Sequence, residues 1–189
     1  MPVLLGLHLF ELKGAFGKNI VGVMGARVDV QDIDAMLKIL ATIDKRSHTI
    51  GQIFDADRIA GKKHLVHAAK LALTAQATRM NFADSLNIEL VCWASGLRQI
   101  VRAFDRVGVR EGCNRVAILM IGKSREKVKR AQTEILRELN MNRDDKVLDV
   151  NSNKISMLMK AFDISERELE IAPIEKLVLE KVALLSLQR

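Results

Sequence analysis

At 189 residues and 49% hydrophobic side chains, the chain has apolar surface to bury, which excludes intrinsic disorder and fits one ordinary domain. Thirty basic against twenty-three acidic residues leave a net charge of +7, so charge favours a polyanion or an acidic protein surface as partner. The longest apolar runs fall far short of a membrane span, no basic leader precedes Val3-Leu4-Leu5, and Cys92 and Cys113 read as reduced thiols, so a cytoplasmic protein is expected.

Taken in order, Val3 to Phe10 reads as a strand, and Ile20 to Met24, set among Gly14, Gly17, Gly22 and Gly25, as its hairpin partner. Asp29 or Asp32 can cap a helix whose stripe is Ile33, Met36, Leu37, Leu40 and Ile43, with Lys45-Arg46 in its last turn. Thr49 to Phe54 is a short strand. After Asp55 to His64 comes a helix with a narrow small-residue face: Leu65, Ala68, Ala69, Ala72 and Ala75.

The stretch from Asn87 to Gly108 organises the rest. Ile88 to Ala94 alternates as a strand, with Ile88, Leu90, Cys92 and Ala94 on one face. Ser95-Gly96 turns the chain into a helix whose apolar stripe is Leu97, Ile100, Val101, Phe104 and Val107. Gly108 is placed to end it in the left-handed conformation. Arg98, Arg102 and Arg106 recur every four residues and predict a cationic outer row.

Arg115 to Ile121 is apolar on both faces and should be a central, covered strand. Gly122-Lys123-Ser124 leads into a helix with Val128, Ala131, Ile135, Leu136 and Leu139 inward, so two strand–turn–helix units follow each other. Asn140 to Asp145 is a polar loop and Val147-Leu148 docks on the core. Asn151 or Ser152 caps a helix with Ile155, Leu158, Met159 and Phe162, and Ser165 to Glu168 has the capping-box pattern. Pro173 starts a terminal helix, about 173–187, that is apolar nearly all round. The expected architecture is α/β (α+β): one compact domain over residues 1–189, a small central mixed sheet flanked by helices, and a helical C-terminal extension.

No reactive set assembles from these residues. Gly122-Lys123-Ser124 imitates the end of a phosphate-binding loop, but the glycine that motif needs five residues earlier is Ala117, inside a strand. His64 and His67 stand close enough to share a metal, yet no cysteine or carboxylate accompanies them, so neither metal nor cofactor is expected. The basic features carry more. Lys62-Lys63-His64 open a helix and would gather cations beside backbone amides, a place for phosphate. Arg98, Arg102 and Arg106 form a guanidinium row that can contact phosphates or stack on bases. A second class of function stays open: a small enzyme holding a phosphorylated ligand at the Ser95-Gly96 or Gly122-Lys123-Ser124 turn.

The run D-A-D-R-I-A-G-K-K-H-L-V-H-A-A (Asp55 to Ala69), then I-E-L-V-C-W-A-S-G-L-R-Q-I and N-R-V-A-I-L, resembles the kinase-binding regulatory subunit of the KEOPS (EKC) complex, the PRPK-binding protein family called TPRKB in animals. The similarity extends to D-D-K-V-L-D-V-N (Asp144 to Asn151) and to E-K-V-A-L-L-S-L at the terminal helix (Glu180 to Leu187). The resemblance implies a non-enzymatic subunit without cofactor, monomeric when isolated. It would bind the N-lobe of the complex's small atypical kinase, an ATPase, and through it the catalytic subunit. It would also recruit tRNA by its 3′ CCA end for threonylcarbamoyladenosine (t6A) synthesis. Carried onto this sequence, kinase binding falls on Ile174, Leu177, Val178, Val182 and Leu185. RNA binding falls on Lys62, Lys63, His64, Ser95, Gly96, Arg98, Gln99 and Arg102.

Overall fold

The computed structural model describes residues 8–187. The chain opens with β1 (His8–Gly14) and β2 (Gly17–Arg27), an antiparallel hairpin closed at Gly14 and Gly17. Residues 3–7 of the expected first strand lie outside the described residues. With β3 (Thr49–Asp55) and β4 (Arg115–Gly122) the strands take the order β1-β2-β4-β3, and β5 (Asn142–Arg143) pairs with Ala26 and Arg27 of β2. Every strand pairing among the described residues is antiparallel, where a mixed sheet was expected.

β4 is central and its alternation sorts side chains into two cores. Val116, Ile118 and Met120 meet α1 (Ile33–Ser47) and α5 (Arg125–Glu138) on one face. Asp32 starts α1 by accepting the Ala35 N–H at 2.9 Å, and Ser124 starts α5 by accepting that of Lys127 at 3.3 Å. Gly22 of β2 lets α5 approach: a Cβ there would sit 2.6 Å from the Val128 side chain.

On the other face, Ala117, Leu119 and Ile121 pack into a larger core. It is built with α2 (Lys62–Ala77), α3 (Leu86–Ser95), α4 (Ile100–Val107), α6 (Ser152–Phe162) and α8 (Ile174–Leu184). The short α7 (Glu166–Ile171) carries the capping box at Ser165 and Glu168.

Five expectations fail here. Ile88 to Ala94 is not a strand but most of α3, enclosed so completely that only Asn87 is exposed along it. Only one strand–turn–helix unit therefore remains, β4 into α5. The next helix begins at Ile100, after Leu97, and its inward residues are Ala103 and Val107, while Val101 is 74% exposed. Gly108 is extended, at φ −70° and ψ 154°, and ends α4 by donating its N–H to the Phe104 carbonyl. The left-handed glycine is Gly96 instead, at φ +67° after α3. Pro173 sits just before the first turn of α8, one place earlier than expected.

Candidate functional site

Most residues of the expected sites lie on α2, on the turn from α3 to α4 and on α8, elements that pack against one another. Small residues make this possible: Ala68, Ala69, Ala72 and Ala75 are buried and let α3 run close beside α2. The first turn of α2 thereby reaches the last turn of α3.

His64 makes that junction and is buried completely. Its Nδ1 accepts the Ala60 N–H at 3.1 Å, so Nε2 carries the proton and donates to the Ala94 carbonyl at 2.8 Å. Burial pushes its pKa down to about 4, against the Ala94 carbonyl, which favours the charged ring. Both nitrogens are occupied and Phe162 packs edge-on at 5.6 Å between ring centroids. His64 is thus a neutral core residue with no surface for a base, and it cannot join His67 at a metal. Among the described residues no cluster of three or more metal-ligating side chains occurs.

Ser95 is also structural. Its hydroxyl donates to the Cys92 carbonyl at 2.9 Å and accepts the Leu97 N–H at 3.1 Å, inside the core. Gly96 closes α3, and a Cβ there would stand 3.1 Å from the Lys181 carbonyl oxygen of α8. Of the expected arginine row, Arg106 turns inward: Nη1 donates to the Ser95 carbonyl at 2.9 Å, and the guanidinium lies over the Phe162 ring at 5.4 Å. Arg98, Gln99 and Arg102 are exposed, Arg98 and Gln99 in the turn before α4 and Arg102 on the helix.

The cations divide between two grooves. Lys62 and Lys63 line one of about 580 Å³ with Gly61, Asp149, Glu175 and Lys176. Lys62 Nζ lies 2.7 Å from Nε2 of His8. Arg98 lines a second, of about 460 Å³, against the last turns of α2 through Leu71, Thr74 and Thr78. Most of the length of α2 therefore separates the lysines from Arg98, and the single basic site expected is not formed.

The second groove holds what the sequence reading missed. The Phe82 and Trp93 rings lie 5.4 Å apart at 36°, and the Arg98 guanidinium sits 4.8 Å from the Phe82 ring centroid. Glu89, buried in α3, holds this group. One carboxylate oxygen accepts the backbone N–H groups of Phe82 (2.8 Å) and Ala83 (2.9 Å), and the other accepts the Trp93 indole N–H at 2.8 Å. A sequence signal existed: a lone carboxylate in an apolar run, four residues before the chain's one tryptophan. Leu185 and Ser186 supply the remaining wall.

The five residues expected to bind a kinase point elsewhere. Ile174, Leu177, Val178, Val182 and Leu185 are all buried, in the core with α2, α3 and α6. They close this chain's own core, which corrects the reading of the helix as an extension. The outward apolar residues near its end are Leu184, 43% exposed, and Leu187, 74% exposed. At the other proposed turn, Ser124 is committed to capping α5, and Lys123 Nζ donates to the Lys18 carbonyl at 3.4 Å. Burial raises both thiols, Cys92 to about 11, so neither is a thiolate at neutral pH.

The family model described as "Kinase binding protein CGI-121" matches residues 28–186, from the end of β2 to the groove wall at Ser186. The chain is also similar to the "Regulatory protein Cgi121" of Methanocaldococcus jannaschii. The two are 29% identical over 168 residues, which is 89% of this chain and 97% of that protein.

Proposed function

The chain belongs to the CGI-121 family of kinase binding proteins, and from that membership we propose that it is a non-catalytic regulatory subunit that docks on a small kinase. The match over residues 28–186 is the observation that carries this reading, because it spans every helix described above. The partner is the kinase of a KEOPS-type complex, and through it the subunit that modifies tRNA with threonylcarbamoyladenosine. Docking uses the outward apolar end of the terminal helix, Leu184 and Leu187, while the five buried residues hold that helix in register.

The same subunit recruits tRNA by its unpaired 3′ end. Two features support this part. The groove of Phe82, Trp93 and Arg98 combines aromatic surface with a guanidinium, the pairing that single-stranded nucleic acid favours. Arg102 and Gln99 are exposed near it, and Lys62 and Lys63 give a separate basic groove along which a backbone can run. The test is a direct one. Purified protein is measured against tRNA with and without its 3′ end, and against a tagged kinase. Binding that ignores the 3′ end removes the tRNA reading, and failure to retain the kinase removes the docking reading.

A further inference from the structure

We propose that Glu89 is the positioning residue of the Phe82–Trp93–Arg98 groove, fixing the Phe82–Arg98 stack on which an unpaired tRNA base is received. This rests on the tRNA reading above.

The argument starts from a carboxylate in the wrong surroundings. Glu89 is 1% exposed in a helix that is otherwise apolar from Leu90 to Ala94, and among the described residues its hydrogen bonds come from Phe82, Ala83 and Trp93, none of them a cation. Burying such a group is unfavourable unless donors replace the lost water. Three N–H groups do so, and all three are donors with nothing to accept. An acceptor-only side chain satisfies them together; an amide, with one oxygen and one NH2, leaves at least one donor facing a donor.

What the three bonds tie together is specific. Two belong to the backbone of Phe82 and Ala83, in the loop that joins α2 to α3, and one to the Trp93 indole, on α3. The carboxylate therefore sets the loop against the helix, and with it the two rings that lie 5.4 Å apart. Arg98 rests on the outer of these, the half-buried Phe82. Its place in the groove depends on Glu89, which touches no ligand itself. Among the described residues the groove's remaining lining is neutral (Leu71, Thr74, Thr78, Met80, Leu185, Ser186), so a bound strand meets one guanidinium stacked on Phe82, with Trp93, 4% exposed, packed beneath. That complements a base and its phosphate rather than an acidic peptide, which would need more than one cation.

Trp93 is the chain's one tryptophan, so its fluorescence reports on the groove alone. The experiment compares wild type, Glu89→Gln and Arg98→Ala, titrating each with intact tRNA and following both bound RNA and Trp93 emission. Wild-type binding should change the emission. Glu89→Gln should shift the emission of the free protein and weaken tRNA at least tenfold, as Arg98→Ala does, with a cooperative thermal transition and kinase co-purification retained. A merely structural role would leave tRNA affinity where it was once the variant is folded.

If Glu89→Gln binds like wild type while Arg98→Ala is weakened, the positioning role is overturned and the groove stands. If Arg98→Ala also binds like wild type, the groove is not the RNA site and both ideas fall. Absence of tRNA binding by wild type overturns the tRNA reading and this role with it. Should Glu89→Gln not fold, Trp93→Phe removes one of the three donors and keeps an aromatic ring. Weaker tRNA binding is expected there too, and unchanged affinity overturns the proposal.

Discussion

His64 Nε2 donates to the carbonyl oxygen of Ala94 at 2.8 Å, joining the first turn of one helix to the last turn of its neighbour. The ring does so only as the neutral tautomer, because Nδ1 must stay bare to accept from Ala60. Its pKa, ordinarily 6.5, is pushed down to about 4 by burial, so the unfolded chain binds the proton first as pH falls. The stability this ring contributes is therefore complete above pH 6.5 and drains away as pH drops through 4, by about 3 kcal/mol at most. Urea titrations of wild type and His64→Gln at stepped pH should show it: the variant is weaker at pH 7 by about 2–4 kcal/mol and its decline below pH 6.5 is shallower. Parallel curves would mean that the ring does not titrate with unfolding.

Gly96→Ala should destabilise by about 1–3 kcal/mol, from the left-handed backbone and from the approach to the Lys181 carbonyl. Gly112, at φ +78° with nothing within 4 Å of an added Cβ, isolates the backbone part. Chemical denaturation of both alanine variants should find Gly96→Ala the more damaging. Equal losses would show that α8 yields at no cost.

Leu177 and Leu187 should behave oppositely. Leu177→Ala opens a cavity under the terminal helix and should cost about 2–5 kcal/mol of stability. Leu187→Asp changes an exposed residue and should move stability by less than about 0.5 kcal/mol while reducing recovery of the kinase. Thermal melts beside a pull-down separate the two effects, and full kinase recovery by Leu187→Asp removes this end of the helix from the interface.

Lys154 is a buried ammonium whose Nζ donates to the Val147 carbonyl at 3.0 Å. Desolvation lowers its pKa from 10.5 to about 8, with Asp57 the strongest opposing influence. Between those values the unfolded chain holds a proton that the folded one has released, so stability rises with pH there, by about 3 kcal/mol at most. Lys154→Met should lose this rise, measured as the difference between the two proteins' unfolding free energies at pH 8 and 10.5. A constant difference would place the ammonium in water.

Much of this frame is legible in the residues. Asp32, Ser124, Asn151 and Ser165 each cap the helix their spacing announces, and the two apolar faces of Arg115 to Ile121 do mark a central strand. The stretch from Ile88 to Ala94 misleads because it is enclosed by α2, α4, α8 and the sheet: with no wet side, no period of 3.6 is imprinted on it, and its alternation marks no covered face. Losing that strand also removes the reason to expect a parallel pair. The terminal helix is apolar all round for the same cause, and pattern alone does not separate a covered face from one awaiting a partner. The basic site scatters because charge in a sequence carries no direction. Lys62 and Arg98 sit near opposite ends of α2, and Arg106, spaced as a surface cation, turns in to Ser95 and Phe162.

Leu185 and Ser186 wall the groove of Phe82, Trp93 and Arg98, and Leu184 and Leu187 beside them face out. On the proposed function, one turn of chain would have the kinase on its outer side and the nucleic acid on its inner side. Two guests leaning on a common partition exchange free energy through it, and the exchange is symmetric: whatever factor the first applies to the second's affinity is returned in full.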